Sequence, residues 1–274
     1  MKNLIVLACA LLISGEVYCA TESHSKDRNS VERSGSSNSS SAGSSSRSQA
    51  RSASKWTYSG STGPERWAKI GSANGACAGK NQSPINLTGF VKSNLKPIKF
   101  DYQDSGQQIV NNGHTVQVTY GKRSHISLDN QTFNLLQFHF HSPSENHING
   151  QSFPLEAHLV HADSKGNLAV VSVMFSKGAA NKGLSQAWEK MPEQAGEHYA
   201  MPQTVNAIDL LPKNRNYYRF NGSLTTPPCS EGVRWLVMKT VLTASEEQID
   251  AFTHSLHEPN NRPLQPLNAR VILE

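Results

Sequence analysis

Residues 137–141 read Gln-Phe-His-Phe-His and residues 156–161 read Glu-Ala-His-Leu-Val-His. Apolar and polar residues alternate, and a period of two marks a strand with one buried face. Residues two apart in a strand point to the same side, so His139 and His141 project together while Phe138 and Phe140 enter a core. In the second segment Glu156, His158 and Val160 share a face and His161 points away. Two neighbouring antiparallel strands then present His139, His141 and His158 to one point about 2 Å from each ring nitrogen, which suits tetrahedral zinc. Three neutral nitrogen ligands leave a fourth position for water, the arrangement of a catalytic rather than a structural zinc site. Gln137 and Glu156 each lie two residues from a ligand on the same face. Each can accept the spare ring N–H and fix its tautomer. One histidine in a strand is ordinarily a satisfied polar group; two adjacent histidine-bearing strands with flanking acceptors outweigh that reading.

The rest of the chain divides into three parts. Lys2, an apolar stretch over residues 4–13 and a polar exit give residues 1–20 the anatomy of a secretory signal peptide, cut near Cys19 or Ala20. A lipid anchor on Cys9 or Cys19 is the rival reading. Residues 21–55 are a Ser-rich linker: 15 of residues 21–54 are Ser, and such a segment buries too little apolar surface to offset its ordering entropy. Residues 56–274 carry the aromatics, prolines and apolar runs of one folded domain. Once the leader is removed, Cys77 and Cys229 remain, which in an exported protein suggests one disulfide, with two free buried cysteines as the alternative. The expected location is periplasmic or extracellular. A net charge of +5 with both signs interspersed gives no support to a nucleic-acid partner, and no apolar run is long enough for membrane insertion after the leader is cut.

Strand-like runs occupy 108–110, 115–119, 133–141, 155–161, 168–175 and 233–242, punctuated by Gly, Asn, Asp and Pro. A capping-box pattern at Thr243 and Glu246 opens a helix whose Ile249, Phe252 and Leu256 share a face, and a shorter helix begins near Leu184. The fold class is mixed α/β but β-dominated: a single domain with a large, central, mostly antiparallel twisted sheet and peripheral helices.

In this order and spacing, Trp56-Thr57-Tyr58, G-P-E-R-W (63–67), N-Q-S-P-I-N-L (81–87), N-N-G-H (111–114), Q-F-H-F-H-S-P-S-E-N (137–146), E-A-H-L-V-H (156–161), G-S-L-T-T-P-P-C (222–229) and Arg234-Trp235 resemble the α-class carbonic anhydrases, the bacterial secreted type in particular. The resemblance spans essentially residues 56–274. It implies the α-carbonic anhydrase fold, Zn2+ on His139, His141 and His158, and reversible hydration of CO2 to bicarbonate and a proton by zinc-bound hydroxide. It further implies Thr225 as the hydroxyl that orients that hydroxide, Glu145 as the group holding Thr225, Thr226 as a substrate-side neighbour and His114 as an exposed proton shuttle. Val160, Val170, Leu224 and Trp235 match the apolar wall for CO2, and Gln117 faces the cavity. Bacterial members carry a disulfide where Cys77 and Cys229 fall, and cis bonds are implied at Ser83–Pro84 and Pro227–Pro228. Ser142-Pro143 departs from the Trp-Gly of animal members, so their loop geometry is not carried over. Sensitivity to primary sulfonamides and a homodimer are the further expectations. The remaining histidines, His125, His147, His161, His198, His254 and His257, get ordinary structural readings.

Two readings compete. His139-x-His141 with Glu145 imitates the first motif of the cupins, in which Glu145 would be a fourth ligand and the fold a jelly roll. That family's glycine six residues before His139 is missing, as is its later Pro-x-Gly with a following His. The other is a metal-free binding module tethered by the Ser-rich stretch.

Overall fold

The computed structural model describes residues 56–103, 105–201 and 205–274. The expected signal peptide and Ser-rich linker lie outside the described residues. Each run read as a strand seeds one. In chain order the strands are β1 (Asn86–Leu87), β2 (Lys99–Asp101), β3 (Gly106–Asn111), β4 (Val116–Tyr120), β5 (His125–Leu128), β6 (Gln131–His141) and β7 (His147–Ile148). They continue as β8 (Leu155–Ala162), β9 (Leu168–Lys177), β10 (His198–Ala200), β11 (Tyr217–Ser223), β12 (Glu231–Met238) and β13 (Leu242–Ala244). The helices are α1 (Trp67–Ile70), α2 (Lys182–Ala187) and α3 (Glu246–Leu256). Among the described residues no helix is long and apolar enough to cross a membrane.

One large sheet runs in the order β10-β3-β4-β6-β8-β9-β12-β11. Strand β6 is long enough to be shared along one edge: its first residues pair with β5 and its last with β4. The pairings are mostly antiparallel, while β12 and β13 lie parallel to β9, so the sheet is mixed. A large open sheet of this kind is not a jelly roll, which removes the cupin reading.

The two faces of the sheet bury different clusters. Phe138 and Phe140 of β6, Leu155, Ala157 and Leu159 of β8, and Val171 and Val173 of β9 join the larger core. Val160, Val170, Met174, Phe220, Val233 and Trp235 form a second cluster on the opposite face. Burial of each of these Val, Leu, Phe and Met side chains contributes roughly 1.5–3 kcal/mol. Strict alternation through β6 would put Phe133 and Leu135 on the same side as His139. A register shift between Leu135 and Gln137 inserts an extra residue and reverses the parity. Phe133 and Leu135 therefore stay in the core while His139 and His141 turn to the other face.

The expected capping box is displaced by two residues. Ser245, not Thr243, caps α3, its side chain accepting from Gln248 N while the Gln248 side chain accepts from Ser245 N. Thr243 is held in β13 by the parallel ladder with β9, so it cannot turn into a cap. Buried Ile249 and Phe252 fix the helix to the core, and Phe252 stacks on Trp188 and touches the edge of Phe140, behind the histidine strands. Cys77 and Cys229 form a disulfide across 152 residues of sequence, packed against Trp67. The bonds Ser83–Pro84 and Pro227–Pro228 are cis as implied, and so is Ser142–Pro143, which the resemblance does not imply.

Candidate metal centre

His139 and His158 face each other directly across the β6–β8 ladder, and His141 stands opposite Glu156. The ring centroids are 5.0 Å apart for His139 and His141, 5.3 Å for His139 and His158, and 4.6 Å for His141 and His158. One nitrogen from each ring lies within 4.8 Å of the others, and among the described residues no other group of three potential ligands converges this way.

Each ring is oriented through its second nitrogen. His139 Nδ1 donates to Gln137 Oε1 at 2.8 Å, His158 Nε2 to Glu156 Oε1 at 2.8 Å, and His141 Nδ1 to the Asn260 carbonyl at 2.7 Å. Nε2 of His139, Nε2 of His141 and Nδ1 of His158 are left facing one another. His141 Nε2 is buried with no hydrogen-bond partner. An unpartnered buried nitrogen is costly in a protein without a ligand, and three tautomer-fixed imidazoles converging are a donor set that fits a divalent metal. Burial lowers the proton affinity of His139 well below the usual imidazole range, and His141 and His158 push the same way. Burial also lowers His141, against opposing pulls from the Asn260 carbonyl and Glu156.

The carboxylates behind the rings have distinct environments. Glu156 accepts five hydrogen bonds, from His158, Asn146 Nδ2, Ser172 Oγ and the backbone N–H groups of Glu145 and Asn146. Burial pushes its pKa up, but His158 and these donors outweigh burial and hold it at about 2. Glu145 accepts from Arg262 N at 3.0 Å, and its Oε2 lies 3.4 Å from His141 Nε2. Burial raises its pKa to about 7, against the pulls of His158, the Arg262 N–H and the Thr225 hydroxyl. Thr225 is near enough to exert that pull, though no well-formed hydrogen bond joins it to the carboxylate.

Thr225 is buried and Thr226 half-buried in the loop that leaves β11. The loop is closed by Leu224 N donating to Ser230 O at 3.0 Å and Cys229 N to Thr226 O at 2.8 Å. The disulfide ties its far end to Cys77. Leu224, Val160, Val170 and Trp235 lie in one apolar cluster, and the Trp235 ring is 4.9 Å from His158. Gln117 pairs with His139 across β4 and β6.

His114 departs from the expectation of an exposed shuttle. It sits half-buried in the turn between β3 and β4, its ring stacked on Trp56 at 3.7 Å and 11°. Burial lowers its pKa and Glu258 opposes that. His161 is fully buried away from the cluster, between Tyr102 Oη at 2.7 Å and the Ala169 carbonyl at 3.2 Å.

Asn260 and Arg262 are the residues that sequence reasoning missed. Asn260 orients His141, receives Ser142 N at its Oδ1, and donates to the carbonyls of His114 and Phe140. The buried Arg262 guanidinium reaches Gln82, Ser83 O and Cys77 O. The only sequence signal is a polar Asn-Asn-Arg-Pro run after α3, which names no partner.

A large mixed sheet with three tautomer-fixed histidines on adjacent strands beside an apolar wall defines a β-sheet protein built around a metal-competent site. Residues 62–274 match the model of the eukaryotic-type carbonic anhydrase family. A carbonic anhydrase of Pectobacterium atrosepticum is 48% identical over 219 residues, covering 80% of this chain and 90% of the relative. The α-carbonic anhydrase of Thermovibrio ammonificans, solved with sulfanilamide, gives a TM-score of 0.80 at 45% identity, covering 81% of this chain and all 100% of that one. The α-carbonic anhydrase of Photobacterium profundum gives 0.76 at 47% identity, covering 80% and 100%. The chain belongs to this family and is a carbonic anhydrase.

Proposed function

We propose that the chain hydrates CO2 reversibly to bicarbonate and a proton, with zinc held by His139, His141 and His158. The observation that carries this reading is the trio of free ring nitrogens, each with its other nitrogen committed to an acceptor. When bound, zinc supplies a Lewis acid that brings the pKa of a water molecule to about 7, a value characteristic of carbonic anhydrases themselves.

The protein's own groups do the rest. Gln137, Glu156 and the Asn260 carbonyl hold the ligands in one tautomer. CO2 carries no charge and makes only weak hydrogen bonds, so the wall of Val160, Val170, Leu224 and Trp235 offers it a dry apolar face. Thr225 has one proton to give. With that proton directed to the Glu145 carboxylate, its oxygen is left as an acceptor that orients the attacking water. Thr226 flanks the substrate side. His114 takes the product proton out to buffer, a task suited to an imidazole. Export fits the domain plan of a leader at 1–20, a Ser-rich linker at 21–55 and a catalytic domain at 56–274.

Metal analysis tests the ligand set. Full-length protein should carry one zinc per chain, and His141→Ala should carry less than a tenth of that after dialysis. Equal zinc in the two proteins would refute the assignment. The Thermovibrio relative holds sulfanilamide, and the same inhibitor class is expected to block this chain only when it is metal-loaded.

A further inference from the structure

Two segments distant in sequence meet over His114. Its ring lies flat on Trp56 and 6.4 Å from Tyr58, edge to face. The residue after Tyr58, Ser59, donates its hydroxyl to Glu258 Oε2 at 3.0 Å, across 199 positions of sequence. The base of this segment is pinned by Trp67 Nε1 donating to Thr57 O at 3.0 Å and by the Thr57–Thr62 hydroxyl pair at 2.7 Å. Glu258 follows His257, the left-handed cap of α3. Two residues further on, Asn260 Nδ2 donates to the His114 carbonyl at 3.0 Å. One short run, 257–260, thus holds the His114 backbone and also the aromatic segment that covers its ring.

We propose that Glu258 is a positioning residue for the proton step, anchoring the 56–59 segment through Ser59 and stabilising the cationic form of His114 where its ring lies against Trp56. The inference rests on the reading of His114 as the proton carrier. An imidazolium gains from an aromatic face beneath it and from a carboxylate beside it, whereas a neutral imidazole gains neither charge interaction. The cationic ring is therefore favoured at this rim. Burial works against the charged ring, and Glu258 is the acid that counters it. Tyr58, the other titratable group over the ring, is held neutral mainly by burial, with Glu145 and Glu258 pushing the same way, so it adds no charge of its own.

Glu258→Gln keeps an acceptor for Ser59 and removes the charge; Ser59→Ala keeps the charge and removes the tether. In full-length, zinc-loaded protein, NMR titration of the His114 imidazole should move down by roughly half a pH unit in Glu258→Gln, the size for a largely solvated pair. In Ser59→Ala the ring-current displacement of the His114 protons by Trp56 should shrink. In weak buffer Glu258→Gln should lower kcat roughly twofold to fivefold with kcat/KM for CO2 unchanged, and added imidazole should restore it. An unshifted titration in Glu258→Gln, or an unchanged ring current in Ser59→Ala, overturns the proposal. If His114→Ala leaves kcat unchanged in weak buffer, the proton-carrier reading fails, while the two NMR measurements still decide what Glu258 does.

Discussion

The three imidazoles at the centre are held by acceptors of unequal strength, and that inequality orders their sensitivity. Gln137 is half-buried and gives His139 one neutral acceptor, whereas Glu156 is an ionised carboxylate gathering five donors. Gln137→Ala should weaken zinc affinity about tenfold and Glu156→Gln nearer a hundredfold, measured by competition with a chelator. Equal losses would contradict the ordering. Both acceptors were legible in the sequence because a two-residue offset puts them on a ligand's face. Asn260 was not, since it works through its backbone carbonyl, which every residue possesses. His114 could be located, but not its cover, because stacking on Trp56 joins positions that no local period connects. His161 makes a separate prediction. Its folded-state pKa is depressed to about 3, mainly by burial, below an unfolded value of ~6.5. The unfolded chain binds the extra proton between those values, so stability present above pH ~6.5 is lost as pH falls towards 3, by up to about 1.4 kcal/mol per pH unit. Urea midpoints measured from pH 7 to 4 should fall less steeply for His161→Gln than for the parent; parallel curves would refute this.

Elements were easier to read than the joints between them. The period of two in β6 and β8 fixed which residues share a face, and the result holds through His139, Phe140 and His141. Alternation alone could not reveal the register shift that keeps Phe133 and Leu135 in the core, because one extra residue in a strand leaves the apolar content unchanged. The cap of α3 moved for a similar reason: Thr243 and Ser245 both begin box-like patterns, and a tertiary ladder to β9 chooses between them. Ser245→Ala should cost about 1 kcal/mol in chemical denaturation, whereas Thr243→Ala, on an exposed strand position, should stay within about 0.5 kcal/mol. The reverse ranking would restore the cap to Thr243.

Among the described residues, one sheet buries an apolar cluster on each face, and the site shares its face with the smaller one. The disulfide joins the loop bearing Thr225 to the segment around Trp67. Thiol titration of the folded protein should find neither Cys77 nor Cys229 free, and Cys77→Ser/Cys229→Ser should lose roughly 2–4 kcal/mol of stability. Two reactive thiols in the parent would contradict the bridge. The architecture was legible as a β-dominated sheet; its parallel pairings at β12 and β13 were not, because strand order depends on how long connections cross the sheet. The most direct test of the central claim is stopped-flow CO2 hydration by the full-length chain, with zinc content measured on the same sample. The account predicts fast hydration at one zinc per chain, loss on chelation, and recovery on return of zinc. Stoichiometric zinc with no hydration above the buffer rate would contradict it.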